Sequence, residues 1–321
     1  MLRLLQSIFG GATQGNYPES LVKAAIERAV DGTDPCLRAV SGYKKKLRPA
    51  VLRSIDHVVA LVDGLPAPLT VSCVSYGDDP RLKSFFISPD DMQKTFARDQ
   101  NLAAYLRGTG TAPSQVVALL AMEKQENTVL GNEISGEIVI RDVPQVSVSF
   151  DAHRLIDPAG SEDETRRQLK RRAFDHLLGL ALMRISIVKT TREQLGRHRE
   201  LLQAKRNLLE RGGWGFNETD STVKLDVPEL EKQLSEIEAS LMELGGDDSM
   251  YDAYLKILVD VLGNPEKYLW SRKETLILDS MGIKREQAAF NFSELTLDEL
   301  FNAEGRHLVI ALVALPGGVV G

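Results

Sequence analysis

The side chains of this chain with chemistry to offer are five histidines, two cysteines and several neighbouring carboxylates. His57, His153, His176, His198 and His307 share no HExxH or HxxxH spacing, so no helix presents two imidazoles to one metal. Each reads as a structural or surface histidine. Cys36 and Cys73 form no CxxC and read as free thiols of a reducing compartment. Asp90-Asp91 and Asp247-Asp248 are adjacent in sequence, and adjacent residues on a helix do not face each other. They suit helix capping better than general acid–base work. No GxSxG, GxGxxG or Walker-type glycine-rich pattern occurs. Gly10-Gly11-Ala12-Thr13-Gln14-Gly15 has no lysine to meet a phosphate and reads as a flexible joint. No catalytic residue, metal site or cofactor is expected.

Two constellations suit contact with a macromolecule. Gly212-Gly213-Trp214-Gly215-Phe216 sets two large aromatics among glycines within a connection spanning 212–226. Trp214 and Phe216 are candidates for anchors that enter a partner's pocket; the alternative is that they fold back over the helix ends. Arg166, Arg167, Lys170, Arg171 and Arg172 form a dense basic cluster, and Tyr43-Lys44-Lys45-Lys46-Leu47-Arg48 forms a second. Either could meet phosphates, or acidic neighbours on a solvated helix face.

The elements that must carry these residues are helical. Residues 165–211 read as one helix, free of proline and about 70 Å long at 1.5 Å per residue. Ser161 and Glu164 have capping-box spacing, and Glu162, Asp163 and Glu164 place negative charge at the positive end of the helix dipole. Phe174, Leu178, Ala181, Ile185 and Val188 step as a heptad. Leu195, Leu202 and Leu209 continue it at every seventh position, with Leu201 and Leu208 beside them. Val227, Leu230, Leu234, Ile237, Leu241 and Leu244 form a second heptad, stopped by Gly245-Gly246. Residues 165–211 carry 13 Arg and Lys against 4 Asp and Glu, whereas 229–260 carry 2 Lys against 9 Asp and Glu. Opposite charges beside two apolar stripes favour their pairing as an antiparallel hairpin. A third helix is expected over Tyr251 to Leu262, with Tyr254, Leu255, Leu258 and Leu262 on one face.

Elsewhere, residues 1–110 read as a mostly helical N-terminal region. Asp34-Pro35, Asp79-Pro80 and Ser88-Pro89 each resemble an N-cap followed by proline at the first helical position. Gln115 to Met122 and Glu137 to Phe150 read as strands, with Pro144 marking an edge or bulge. Strand signals return at Tyr268 to Leu278, Ala288 to Phe292 and His307 to Leu315. Thr296 and Glu299 have the spacing of a cap on a short intervening helix. The predicted fold class is α+β: a helical N-terminal region, then an antiparallel sheet (111–160 and 265–321) interrupted by a long antiparallel coiled-coil-like helical hairpin (161–264).

A chain of 321 residues with net charge −6 can bury a substantial core and is not drawn wholesale to nucleic acid or anionic membrane. No apolar run is long enough to span a bilayer, and a cytoplasmic location is expected. The leading expectation is a non-enzymatic interaction or scaffold protein. It would bind a protein partner through the hairpin and its tip, with self-association into a homo-oligomer. The alternatives are a nucleic-acid-associated protein using the basic clusters, and an enzyme whose site forms only in three dimensions.

Overall fold

The computed structural model describes residues 17–109, 113–135, 138–210, 227–245, 249–279, 281–285 and 293–317. Among them are nine α-helices and six strands, so the predicted mixture of helix and sheet is present. The helices are α1 (Glu19–Asp31), α2 (Tyr43–Asp63), α3 (Cys73–Asp78), α4 (Pro80–Phe85), α5 (Pro89–Arg98), α6 (Gln100–Thr109), α7 (Glu162–Glu210), α8 (Val227–Glu243) and α9 (Met250–Gly263). The strands are β1 (Leu69–Thr70), β2 (Gln115–Ser135), β3 (Ile138–Ala159), β4 (Leu269–Leu278), β5 (Ser293–Asn302) and β6 (His307–Pro316). The chain divides into two compact units, one holding Ile55–Phe174 and Pro265–Gly321, the other Pro18–Ser54 and Asp175–Asn264.

The first unit is built on one sheet of order β3-β2-β6-β5-β4, antiparallel except for the short β1, which runs parallel to β6. Side chains alternate across a strand, and β2 is buried on both faces over residues 116–122. Val116, Ala118, Leu120 and Met122 enter a core with Phe85, Phe86, Met92, Phe96 and Leu102 from the helices. Leu119 and Ala121 enter the opposite core with Val62, Leu65 and Leu169. Residues Asp34, Asp79 and Ser88 cap the helical turns that follow them, as their spacing with proline predicts. Pro144 lies on the outer strand β3, opposite Leu130, where a missing N–H donor is tolerated. Register shifts between β2 and β3 coincide with three left-handed residues, Asp142, Ala152 and Asp157, at φ of 56°, 52° and 50°. These are bulges, in which two residues of β3 oppose one of β2.

The expected helix at Thr296 to Glu299 does not form; both residues lie in β5. Leu295, Leu297 and Glu299 are buried at alternate positions, and this period of two overrides the capping spacing. The expected strand at Ala288 to Phe292 falls outside the described residues.

Glu299 marks where the apolar sheet face becomes ionic. Its side chain is 1% exposed and pairs with Lys124 Nζ at 2.9 Å and Arg272 Nη2 at 2.9 Å. Lys124 also binds Glu274. Burial opposes both charges, but the Lys124–Glu299 ion pair and the hydrogen bonds from Lys124 to Glu274 and from Arg272 to Glu299 outweigh it, holding the Lys124 ammonium above and the Glu299 carboxyl below their ordinary ranges.

The second unit is helical. α1 buries Leu21, Val22, Ala25, Ile26, Ala29 and Val30. α9 buries Tyr254, Leu255, Leu258, Val261 and Leu262, which includes the face read from sequence. Arg28 makes a two-pronged pair with Asp175, Lys189 binds Asp34 at 2.5 Å, and Ser54 Oγ donates to the Leu262 carbonyl at 2.6 Å. On α7, Leu178, Ala181 and Ile185 are buried. Farther along, Leu202 is buried with Leu230, Leu234 and Ile237 of α8, flanked by Leu195 and Leu241. Gly245 follows α8 at φ 88°, and a Cβ there would lie 2.9 Å from Ala253 Cβ, so glycine is required twice over.

Removing one member of a buried ion pair strands the other charge. Lys124→Met should therefore lower unfolding free energy by about 3 kcal/mol, and Lys124→Met with Glu299→Leu should recover part of that loss. Urea unfolding of both variants and the parent tests this. A Lys124→Met chain as stable as the parent would show that the network contributes nothing.

Candidate functional site

The structure brings together a polar site in the first unit from residues that have no motif in common. On α5, Asp91, Lys94, Thr95 and Arg98 recur at spacings of three and four and so share one face. Asp99, Gln100 and Asn101 open α6, and His153 and Arg154 lie on β3. These nine residues line a cavity of about 530 Å³.

Local geometry fixes the walls. Ser88 Oγ accepts from the Asp91 N–H at 3.1 Å and starts α5. Asp99 uses both carboxylate oxygens on backbone: Oδ1 accepts from Leu102 N and Oδ2 from Leu155 N, each at 2.8 Å. Asn101 Nδ2 donates to the Leu155 carbonyl at 2.6 Å. The start of α6 is thus tied to β3. The bulge at Ala152 sits directly before His153 and Arg154, and a bulge of this kind re-aims the side chains that follow it.

His153 stacks on Phe86 with ring centroids 4.8 Å apart. Its Nε2 lies 2.7 Å from the Phe85 carbonyl, which can only accept, so Nε2 carries the proton and Nδ1 of the neutral ring is an acceptor. Burial pushes its pKa below the ordinary 6.5, against the raising effects of the Phe85 carbonyl, Asp91 and Asp151. Lys94, Arg98 and Arg154 are exposed and make no ion pair among the described residues. The three cations of the cavity outnumber its two carboxylates, Asp91 and Asp99, and the oxygens of Asp99 already accept from backbone.

Asp91 and His153, read from sequence as a capping residue and a structural or surface histidine, both line this cavity, whereas the described candidate partner-binding residues do not. Trp214 and Phe216 fall outside the described residues, as do Gly10 to Gly15. Arg166 donates to the Val62, Leu65 and Pro66 carbonyls at 2.6, 3.0 and 3.1 Å, closing the C-terminal end of α2, and binds Glu162 at 2.8 Å. Arg167 pairs with Glu164, and Lys170 with Asp63 at 2.7 Å. Arg172 holds Asp157 through two bonds of 2.7 and 2.6 Å. Arg171 also has a bonding partner. In the second cluster, Lys44, Lys46 and Arg48 pair with Glu27, Asp252 and Glu19 at 2.8, 2.9 and 2.7 Å. Much of both basic clusters is engaged within its own unit.

Both cysteines are free and exposed. Among the described residues no group of His, Cys, Asp or Glu has the geometry to hold a metal ion, and no helix is long and apolar enough to cross a membrane. The chain matches no family model, and no similar curated protein or solved structure was found.

A histidine held below its unfolded pKa favours the fold only while neutral. That contribution is complete above pH 6.5, where the unfolded chain is also neutral, and is lost as pH falls through the folded pKa. The stability difference between the parent and His153→Gln should therefore shrink as pH falls below 6.5. Urea unfolding across that range checks it; a difference independent of pH would contradict the assignment.

Proposed function

We propose that the chain is a non-enzymatic interaction protein whose α7 and α8 form an antiparallel, coiled-coil-like hairpin that binds a protein partner. The pairing is supported by the buried Leu202, Leu230, Leu234 and Ile237, and its antiparallel sense by Arg192 of α7, which donates to the Gly245 carbonyl just beyond α8.

The observation that carries the reading is a set of exposed apolar side chains on a second flank of α7. Met183, Ile187, Leu201 and Leu208 are 45, 60, 64 and 74% exposed. At 100° per residue they fall within about 60° of one another, on a flank distinct from that of Leu195 and Leu202. Thr190 and Gln194 share this flank between Ile187 and Leu201, so the exposed apolar side chains form two separate groups, each a candidate contact point. The basic character of α7 selects the partner. Two copies of a helix with this charge repel each other, whereas an acidic amphipathic helix is attracted. Such a helix belongs either to another protein or to the acidic 229–260 stretch of a second copy, which would produce a homo-oligomer.

Trp214 and Phe216 at the turn are the proposed anchors of this contact. Arg167 and Arg172 keep side chains accessible beside their internal pairs, and Arg166 and Lys170 hold the start of α7 within its own unit. The engagement of the basic clusters within the chain gives no comparable support to a nucleic-acid role.

Leu201→Asp with Leu208→Asp places charge on the exposed flank and leaves the α7–α8 cluster intact. Binding of a fluorescent acidic heptad peptide should weaken at least tenfold, about 1.4 kcal/mol, with little change in melting temperature. Anisotropy titration in low and high salt checks this. Equal affinity of parent and variant would overturn the proposal.

A further inference from the structure

We propose that the cavity bounded by α5, the start of α6 and β3 is a binding site for a small phosphomonoester, separate from the helical surface above. Two guanidinium groups and one ammonium border it, from Arg98, Arg154 and Lys94. None of the three has an ion-pair partner among the described residues, in a protein whose other cations are widely paired. The two carboxylates at the site lower its positive charge but are held by backbone donors and form no ion pair with these cations. Both oxygens of Asp99 accept from backbone N–H groups, and Asp91 Oδ2 accepts from the Ile87 N–H at 3.3 Å.

The chemistry of the donors selects the ligand. Guanidinium forks match the oxygens of a phosphate in pairs, and lysine adds a point charge. A phosphate ester presents three acceptor oxygens to the three cationic side chains, where a monocarboxylate presents two. The Thr95 hydroxyl and the Gln100 amide have no hydrogen-bond partner among the described residues and add neutral donors. A volume of about 530 Å³ holds a phosphorylated molecule of sugar size. The bulge at Ala152 and the Asp99 and Asn101 bonds to Leu155 hold the strand wall against α6, so the site is built before any ligand arrives.

Isothermal titration of the full chain with glycerol 3-phosphate at low salt tests this directly. Saturable binding is expected, weakened about tenfold or more in each of Arg98→Gln and Arg154→Gln, and unchanged in Lys83→Gln, an unpaired cation of the same unit that does not line the cavity. Both arginines are exposed, so each variant should keep the parent's melting temperature, which is measured alongside. Glycerol without the phosphate should give no heat. Absence of saturable binding at millimolar ligand, or an affinity indifferent to both arginine substitutions, would overturn the proposal. Sedimentation with phosphatidic acid vesicles separates the source of the phosphate. Vesicle binding without any response to glycerol 3-phosphate would overturn the assignment to a soluble ligand.

Discussion

A helix of 17 residues is marginal in water on its own, because nucleation is costly and propensity adds little per residue. α8 is such a helix. What supports it is the burial of Leu230, Leu234 and Ile237 against Leu202 of α7. Each fully buried leucine or isoleucine contributes about 1.5–3 kcal/mol relative to exposure, enough to outweigh the ordering of a short helix. Much else follows from that contact. It covers one flank of α7 and leaves another, with Ile187, Leu201 and Leu208, open to solvent. The proposed function depends on this difference between two flanks of one helix.

The first unit obeys a different constraint. Residues 116–122 of β2 and most of β6 are covered on both faces, so their side chains read as near-continuous apolar runs, while β5 alternates. The apolar face ends at Lys124 and Glu299, where the charges satisfy one another. The cavity lies where a bulge interrupts the same face beside the helices. Its cations outnumber its carboxylates and form no ion pairs among the described residues, and that contrast with the closed Lys124 network makes it a candidate for an external anion.

Legibility in the sequence followed the range of the interactions. The heptads of α7 and α8, the proline-linked caps and the apolar face of α9 are local patterns, and the structure forms each of these helices. Pro144 announced an outer strand through its missing donor. The Thr296 and Glu299 spacing misled because capping geometry is also available by chance along a strand, and the alternation of Leu295, Leu297 and Glu299 decided the matter. The cavity was not legible. Its two walls are separated by some fifty residues, and the bulge that joins them at Ala152 leaves no mark in composition. His153 was visible only as one of five unremarkable histidines. An unpaired arginine looks the same in sequence as a paired one: Arg154 and Arg166 differ only in what the fold brings near them.

The contact between α7 and α8 is tested most directly by hydrogen–deuterium exchange of the full chain, compared with a Leu234→Asp variant. Because α8 depends on that contact for its stability, amides of 228–243 should be protected in the parent and lose protection in the variant, together with amides around Leu202. Residues 228–243 exchanging at unprotected rates in the parent, or protection unchanged by Leu234→Asp, would contradict the account.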